Sequence, residues 1–186
     1  MSFTLPKGHV AVKVYCSRHN LGARELAVEL NGIWPGLLEF VEDAGACDHM
    51  LIYLNADTWT HDPEALTVNV SEAQRIGVHL QLCNEFPSVL DPGSARKALA
   101  FKQIMDATPP DLTSGERNIY MQIAISLKGG EMREVGLAAL AAKLATRVLR
   151  APVADASRRF TSRRFTTKAS VDASSSVDHS AAHSNV

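Results

Sequence analysis

The chain has 186 residues, of which 46% are apolar and 21% are charged, and its formal net charge is −1. This is the balance of an ordinary globular protein that can bury a core, and it excludes a general electrostatic attraction to nucleic acid. No apolar run approaches the roughly 20 residues that a membrane span needs, and no apolar leader follows Met1. We therefore predict no transmembrane segment, no signal peptide and a cytoplasmic location.

The first part of the chain alternates strand and helix patterns. Residues 10–15 alternate valine with other side chains and predict a first strand. Residues 23–33 have apolar side chains at helical spacing, and Asn20 is the predicted N-cap of this helix. Residues 37–41 predict a second, weaker strand.

The short apolar run at residues 50–54 predicts a strand with both faces covered, and it ends abruptly at Asn55. Only residues 42–49 separate it from the second strand, and a parallel crossover usually takes a dozen or more residues. The second strand is therefore either an edge strand reached by a tight connection or not parallel. The sequence leaves both alternatives open.

The rest of the chain repeats the alternation. It predicts a helix from Pro63 to Gly77, a strand over 78–83 and a helix near 95–105. A last strand is predicted over 119–127, and a final helix follows Gly130 with Arg133 on its outer face. Strands that alternate with helices predict an α/β fold. We expect a flavodoxin-like three-layer sandwich with a mostly parallel five-stranded sheet in the order 2-1-3-4-5.

The alternation within the strands predicts one uniformly apolar face of the sheet. That set is Val10, Val12, Val14, Val78, Leu80, Leu82, Ile119, Met121, Ile123 and Ile125, and the opposite set is Lys13, Tyr15, His79, Gln81, Tyr120, Gln122 and Ser126. A sheet covered on both sides is normally apolar on both. We expect the mixed face to be thinly covered by long side chains and by residues 88–117, or to meet a partner chain.

Residues 151–186 differ in composition from the globular domain predicted over residues 1–150. They are rich in Ser, Ala, Arg and Thr and predict a flexible tail. The unit Ser-Arg-Arg-Phe-Thr occurs twice in tandem and resembles a basophilic kinase site, whose phosphorylation would reverse the local charge. Alternatives are a plain solvated tail or weak docking on an anionic surface. The residues concerned are Arg158, Arg159, Thr161, Arg163, Arg164 and Thr166.

Polar side chains follow the apolar strands, and ligands bind outside the carboxyl ends of parallel strands. The candidate ligand-binding residues are Ser17, Arg18, Asn55, Thr58, Trp59, Asn84, Glu85 and Lys128. The sequence has no glycine-rich phosphate loop and no nucleophile elbow. Its three widely spaced cysteines, Cys16, Cys47 and Cys83, predict reduced core thiols and no metal site.

The order of these parts resembles that of a known family. Residues 12–17 form a short strand that ends in a serine-bearing loop, residues 49–55 form a central strand followed by Trp59, and residues 72–82 lead from a helix through Gly77 into an apolar strand. In this order, residues 9–149 resemble a Toll/interleukin-1 receptor homology (TIR) domain. The family's longer loop after the second strand, which mediates contacts between TIR domains, corresponds here to a short connection at 42–48.

The resemblance implies an interaction domain or an enzyme that consumes NAD. In enzymatic TIR domains a glutamate in the helix after the tryptophan turn works on NAD, and Asn69 stands at that place here. An amide cannot stabilise a developing oxocarbenium charge as a carboxylate can. Glu64 and Glu72 are the nearby catalytic candidates.

Three functions are therefore open. The first is a non-catalytic TIR-like interaction module in cytosolic signalling, which binds a protein partner or a second copy and needs no cofactor. The second is a NAD-consuming or nucleotide-binding enzyme that uses Glu72 or Glu64, with Trp59 stacked on a base and Arg18 or Lys128 on a phosphate. The third is a domain of a larger protein whose role is set by its neighbours.

Overall fold

Five parallel strands form the centre of the fold in the order β2-β1-β3-β4-β5, counted over the part of the chain that the structure describes. The structure is a computed structural model, and it describes residues 3–87 and 96–146. The strands are β1 (Val12–Tyr15), β2 (Leu38–Val41), β3 (His49–Leu54), β4 (His79–Phe86) and β5 (Ile125–Lys128). The α-helices are α1 (Ala23–Ile33), α2 (Pro63–Arg75), α3 (Phe101–Ala107) and α4 (Met132–Leu144). The predicted flavodoxin-like α/β fold and strand order are confirmed.

Strand β3 is the central element, as predicted. All six of its residues are buried, and it pairs with β1 on one side and with β4 along its whole length on the other. Helices cover both of its faces, which is why its sequence is continuously apolar rather than alternating.

The sheet has a hydrophobic core on each face, so the prediction of one apolar face is wrong. Val12 and Val14 pack with α1 and α4, whereas Leu80 and Leu82 pack with α2 and α3. The pairing of Met50 with both Tyr15 and Leu80 places Tyr15, rather than the valines of β1, on the side of Leu80. Alternation fixes the two faces within one strand but not the phase between strands.

Strand β2 is an edge strand and runs parallel to β1, with Val12 opposite Leu38. Its connection to β3 contains a single 3-10 turn, Ala44–Ala46. The side chain of Asp43 starts this turn by accepting a hydrogen bond of 2.8 Å from the backbone N–H of Gly45. A tight polar connection therefore replaces the helix that a crossover usually carries.

The predicted ends of the last two strands are wrong. Strand β4 continues to Phe86, so Asn84 and Glu85 lie inside the strand. Strand β5 begins only at Ile125, and Ile119–Met121 is a 3-10 turn in which the Asn118 side chain accepts from the N–H of Tyr120. Local hydrogen bonding by an asparagine side chain competes here with strand pairing.

The predicted start of α2 is confirmed, whereas the predicted N-cap of α1 and the predicted start of α3 are wrong. Helix α2 begins at Pro63 as predicted, with Asp62 as its N-cap. The N-cap of α1 is Gly22 rather than Asn20. Helix α3 begins at Phe101, later than expected. None of the helices in the described ranges has the length and apolar character required to cross a bilayer.

Candidate functional site

Several of the predicted rim residues form a structural clamp at the end of β3. The Asn20 amide is buried and makes two hydrogen bonds of 2.8 Å, one to the Tyr53 carbonyl and one from the Tyr53 N–H. Thr58 Oγ1 donates to the Tyr53 carbonyl and accepts from the Asn55 N–H, and Asn55 Nδ2 donates to the Leu21 carbonyl. Asn55 and Thr58 therefore shape the turn after β3 and have little capacity left for a ligand.

Two other candidates point into the interior. Trp59 is 6% exposed and belongs to the core between the sheet and α2, so its ring is not available to stack on a base. Asn84 is buried within β4, and its Oδ1 accepts a 3.0 Å hydrogen bond from the Ser126 hydroxyl. Both residues contribute to the architecture of the rim rather than to its surface.

A buried charge network lies beneath the rim on the side of α1 and α4. Glu85 is 1% exposed, and Arg133 Nη1 donates to both of its carboxylate oxygens, at 2.8 and 3.1 Å. The same guanidinium donates to Glu29 from Nε and Nη2, at 3.0 and 2.7 Å. The Tyr53 hydroxyl completes the network with a 2.8 Å hydrogen bond to Glu85.

The pKa values of Tyr53 and Arg133 are both raised within the network, so the phenol stays neutral and the guanidinium stays charged. Burial raises the pKa of Tyr53, and its hydrogen bond to Glu85 raises it further. Burial lowers the pKa of Arg133, but the bonds to Glu29 and Glu85 outweigh this effect and raise it overall. Sequence reasoning missed Glu29 and placed Arg133 on the outer face of α4. Glu85 would have been a signal only with the strand extended to residue 86, because a carboxylate inside a buried strand needs a cation.

A second polar cluster surrounds Asn69 on α2, at the end of β1. Asn69 Oδ1 accepts two hydrogen bonds, from the Tyr15 hydroxyl at 3.0 Å and from the Ser17 hydroxyl at 2.8 Å. Ser17 Oγ also accepts from the His19 N–H at 3.2 Å, and Ser17 is only 2% exposed. The serine is therefore a buried structural hydroxyl rather than an accessible nucleophile.

The loop after Ser17 is tied to α2 by an aspartate and a histidine. His19 Nδ1 lies 2.7 Å from the carboxylate of Asp62, and Arg18 Nε donates to His19 Nε2 at 3.2 Å. These contacts use both ring nitrogens of His19. They connect the β1–α1 loop to the N-terminus of α2 and occupy the groups that a catalytic base would need.

The remaining candidates lie apart from these clusters. Glu72 forms two hydrogen bonds to Arg75, at 2.7 and 2.6 Å, which lower its pKa, and its side chain is exposed on α2. Glu64 is exposed in the first turn of the same helix. The Lys128 ammonium lies 5.7 Å from the ring centroid of Phe86. The predicted modification sites, Thr161 and Thr166, and the tail arginines lie outside the described residues.

A pocket of about 290 Å³ opens at the carboxyl end of β3, above Tyr53 and Arg133. One wall carries Asp57, which forms a 2.6 Å ion pair with Lys97. Another wall is the start of α1 at Gly22, which has a φ of 86°. The lining combines three carboxylates with three cations, so it has no excess charge that would select a ligand of one sign.

We expect Gly22→Ala to destabilise the fold by more than about 2 kcal/mol, because it combines two costs. Only glycine adopts a φ of 86° readily, and a Cβ there would lie 2.7 Å from Cε1 of Tyr53. Gly36→Ala is the matched control, since Gly36 has a φ of 81° and a Cβ added to it would meet nothing within 4 Å. The free energy of unfolding is measured in urea for both variants. Equal losses for Gly22→Ala and Gly36→Ala would show that the contact with Tyr53 adds nothing to the destabilisation.

The cysteines are buried or partly buried thiols outside any disulfide. Burial raises the pKa of Cys16 to about 12 and also raises the pKa of Cys83. In the described ranges, no group of three or more His, Cys, Asp or Glu side chains is placed to hold a metal ion. These positions agree with the predicted core thiols.

Native Cys16 and Cys83 are expected to react with Ellman's reagent at pH 8 at least about a hundredfold more slowly than the same thiols in the unfolded chain. The raised pKa values leave little thiolate on either residue, and Cys83 is in addition fully buried. The measurement is thiol release with and without denaturant, followed by mass mapping of the labelled cysteine. Rapid native labelling of either residue would contradict this assignment.

No family model matches this chain, and neither a curated protein nor a solved structure matches it. The fold is therefore established by the strand order and the layers of the structure. The TIR resemblance stays a prediction from the order of the sequence elements.

Proposed function

We propose that this chain is a non-catalytic TIR-like interaction module in cytosolic signalling, which acts by self-association or by binding another domain. The observation that carries the proposal is the environment of Asn69. Its Oδ1 accepts hydrogen bonds from Tyr15 and Ser17, at the place where the resemblance puts the glutamate of NAD-consuming relatives. A neutral amide held in this way offers no charge to stabilise an oxocarbenium transition state.

The positions of the two α2 glutamates also support a non-catalytic role. Glu72 is neutralised by Arg75 on the exposed side of the helix. Glu64 is exposed in the first turn of α2. Bringing either carboxylate beside Ser17 would require α2 to rotate about its axis, which would expose the buried Leu66 and Val70. A NAD-consuming or nucleotide-binding enzyme that uses Glu64 or Glu72 would therefore have to expose these two apolar side chains to water.

The exposed apolar side chains around β5 indicate where a partner would bind. Met121 and Ile123 precede the strand and are 80% and 91% exposed, and Met132 and Val135 follow it and are 54% and 40% exposed. Strand β5 ends the sheet, so one side of its backbone has no neighbouring strand among the described residues. We call these four residues and this strand edge the β5-edge surface. Exposed apolar side chains beside an open strand edge are typical of protein contacts.

The proposal is tested by measuring the mass of the full chain by light scattering over a range of concentrations. The double variant Met121→Ser/Ile123→Ser removes apolar surface without touching the core, and Val68→Ser, at a 66% exposed position on α2, is its matched control. We expect the wild type and Val68→Ser to exceed the monomer mass of 20.1 kDa at high concentration and the double variant to stay near it. Equal masses for all three proteins would contradict self-association through this surface and leave another domain as the partner.

A further inference from the structure

A second pocket, of about 370 Å³, lies towards the amino-terminal edge of the sheet, between the start of β5 and the last turn of α4. Ile123 and Ile125 supply apolar walls, and His79, Gln81 and Lys143 supply polar groups. No carboxylate from the described residues lines it. The pocket therefore combines an apolar wall with a cation that lacks a counter-charge.

The histidine in this pocket is half of a buried pair. Nδ1 of His79 lies 3.0 Å from Nδ1 of His49, which is fully buried. Nε2 of His49 has no hydrogen-bond partner among the described residues, and the backbone carbonyls of Leu144 and Thr146 at the end of α4 act on this ring in addition to burial, His79 and Asp48. Carbonyls only accept hydrogen bonds, so they favour the tautomer of His49 with its proton on Nε2, and this is the tautomer on which the inference below rests.

This tautomer determines the state of the other ring. With its proton on Nε2, His49 offers a lone pair at Nδ1, so His79 must donate from its own Nδ1. The Nε2 of His79 is then a lone pair with no partner in the described part of the chain. A proton added at that nitrogen leaves the bond between the two rings intact.

The charged groups around the two histidines favour an anion in the pocket. Burial lowers the pKa of His79, and the positive charge of Lys143 on α4 lowers it further. Burial and His79 lower the pKa of His49, while Asp48 and the α4 carbonyls act in the opposite direction. Lys143 itself makes no ion pair within residues 3–87 and 96–146. An anion beside Lys143 would offset the smaller of the two effects that lower the pKa of His79, the positive charge of Lys143.

We propose that this pocket binds a small carboxylic acid with an apolar body, whose carboxylate bridges the Lys143 ammonium and Nε2 of His79, and that binding draws one proton from solvent onto His79. The partly buried Ile125 and the exposed Ile123 would contact the apolar body. Two charge-assisted hydrogen bonds beside an apolar wall are a sufficient recognition set for such a ligand. This binding site is independent of the proposed interaction role, although Ile123 belongs to both surfaces.

The test uses hexanoate and its neutral counterpart hexanamide, added to the full chain and followed by NMR of the histidine and isoleucine side chains. We expect hexanoate to shift the His79, Ile123 and Ile125 signals and to raise the pKa of His79. Because binding takes up a proton, the affinity for hexanoate should fall by up to about tenfold per unit of pH between the pKa of His79 in the free protein and its raised pKa in the complex. Hexanamide should bind about tenfold or more weakly under acidic conditions, since it lacks the charge.

Two variants separate the proposed site from a merely apolar cavity. Lys143→Met, at an exposed position, should weaken hexanoate binding about tenfold, and His79→Gln should remove its pH dependence. Lys102→Met on α3 is the matched control, because Lys102 is an exposed lysine remote from the pocket, and it should bind as the wild type does. Equal binding of hexanoate and hexanamide, unchanged binding by Lys143→Met, or no shift at His79 would each overturn the proposal.

Discussion

Arg133→Met is expected to lower the free energy of unfolding by about 3–5 kcal/mol, because it leaves a buried carboxylate without its cation. The substitution keeps the aliphatic stem but removes a guanidinium that bonds both Glu85 and Glu29. Glu85 is 1% exposed and would remain as a buried carboxylate with only the Tyr53 hydroxyl as partner. The uncompensated charge, rather than lost packing, is the physical cause.

Urea unfolding of the variant at neutral pH measures this loss. Lys102→Met breaks an exposed ion pair with Asp106 and serves as the control, with an expected loss below about 1 kcal/mol. Adding Glu85→Gln to Arg133→Met removes the stranded charge and should restore part of the stability, so the two changes are non-additive. Similar losses for Arg133→Met and Lys102→Met would show that the network contributes no more than a surface pair.

Stability is also expected to fall as the pH drops below 6.5, before most carboxylates titrate. The pKa of His49 and that of His79 are both lowered from 6.5 in the fold, first by burial. The unfolded chain therefore binds protons at a higher pH than the folded chain does, and stability is lost between 6.5 and the lowered folded pKa values. His49 contributes at most about 1.4 kcal/mol per unit of pH in that window, and half-buried His79 contributes less because solvent screens it.

Unfolding free energies measured at a series of pH values between about 7.5 and 5 test this linkage. The double variant His49→Gln/His79→Gln keeps hydrogen-bonding side chains but cannot titrate, so its stability should change little across the window. His61→Gln, in the exposed loop before α2, should retain the wild-type slope. A wild-type curve as flat as that of the double variant would show that the pair does not control the acid response.

The layered fold was predictable because its signals are local. A continuous apolar run identified β3, a proline in the first turn identified α2, and strand–helix alternation gave the sheet order. The relative phase of the strands was not predictable, because side-chain alternation is the same on either face. Val12 and Leu80 have similar patterns and lie on opposite sides of the sheet.

The site was harder to predict because its interactions are distant in sequence. Residues 29, 85 and 133 meet only in the folded chain, and nothing in the spacing of Arg133 on α4 distinguishes it from a solvated arginine. Asn55 and Thr58 were expected near the rim and do lie there, but they bond to the backbone. Polar residues after a strand locate the rim without revealing whether they bind a ligand or hold the turn.

The proposed non-catalytic role rests on Asn69, an amide at the place where the TIR resemblance puts the glutamate that works on NAD. The most direct measurement is the loss of NAD in the presence of the purified full chain at high concentration, compared with the Glu64→Ala and Glu72→Ala variants. We expect all three proteins to leave NAD at the level of the protein-free control. Turnover by the wild type that disappears in either variant would contradict the claim and assign that glutamate to catalysis.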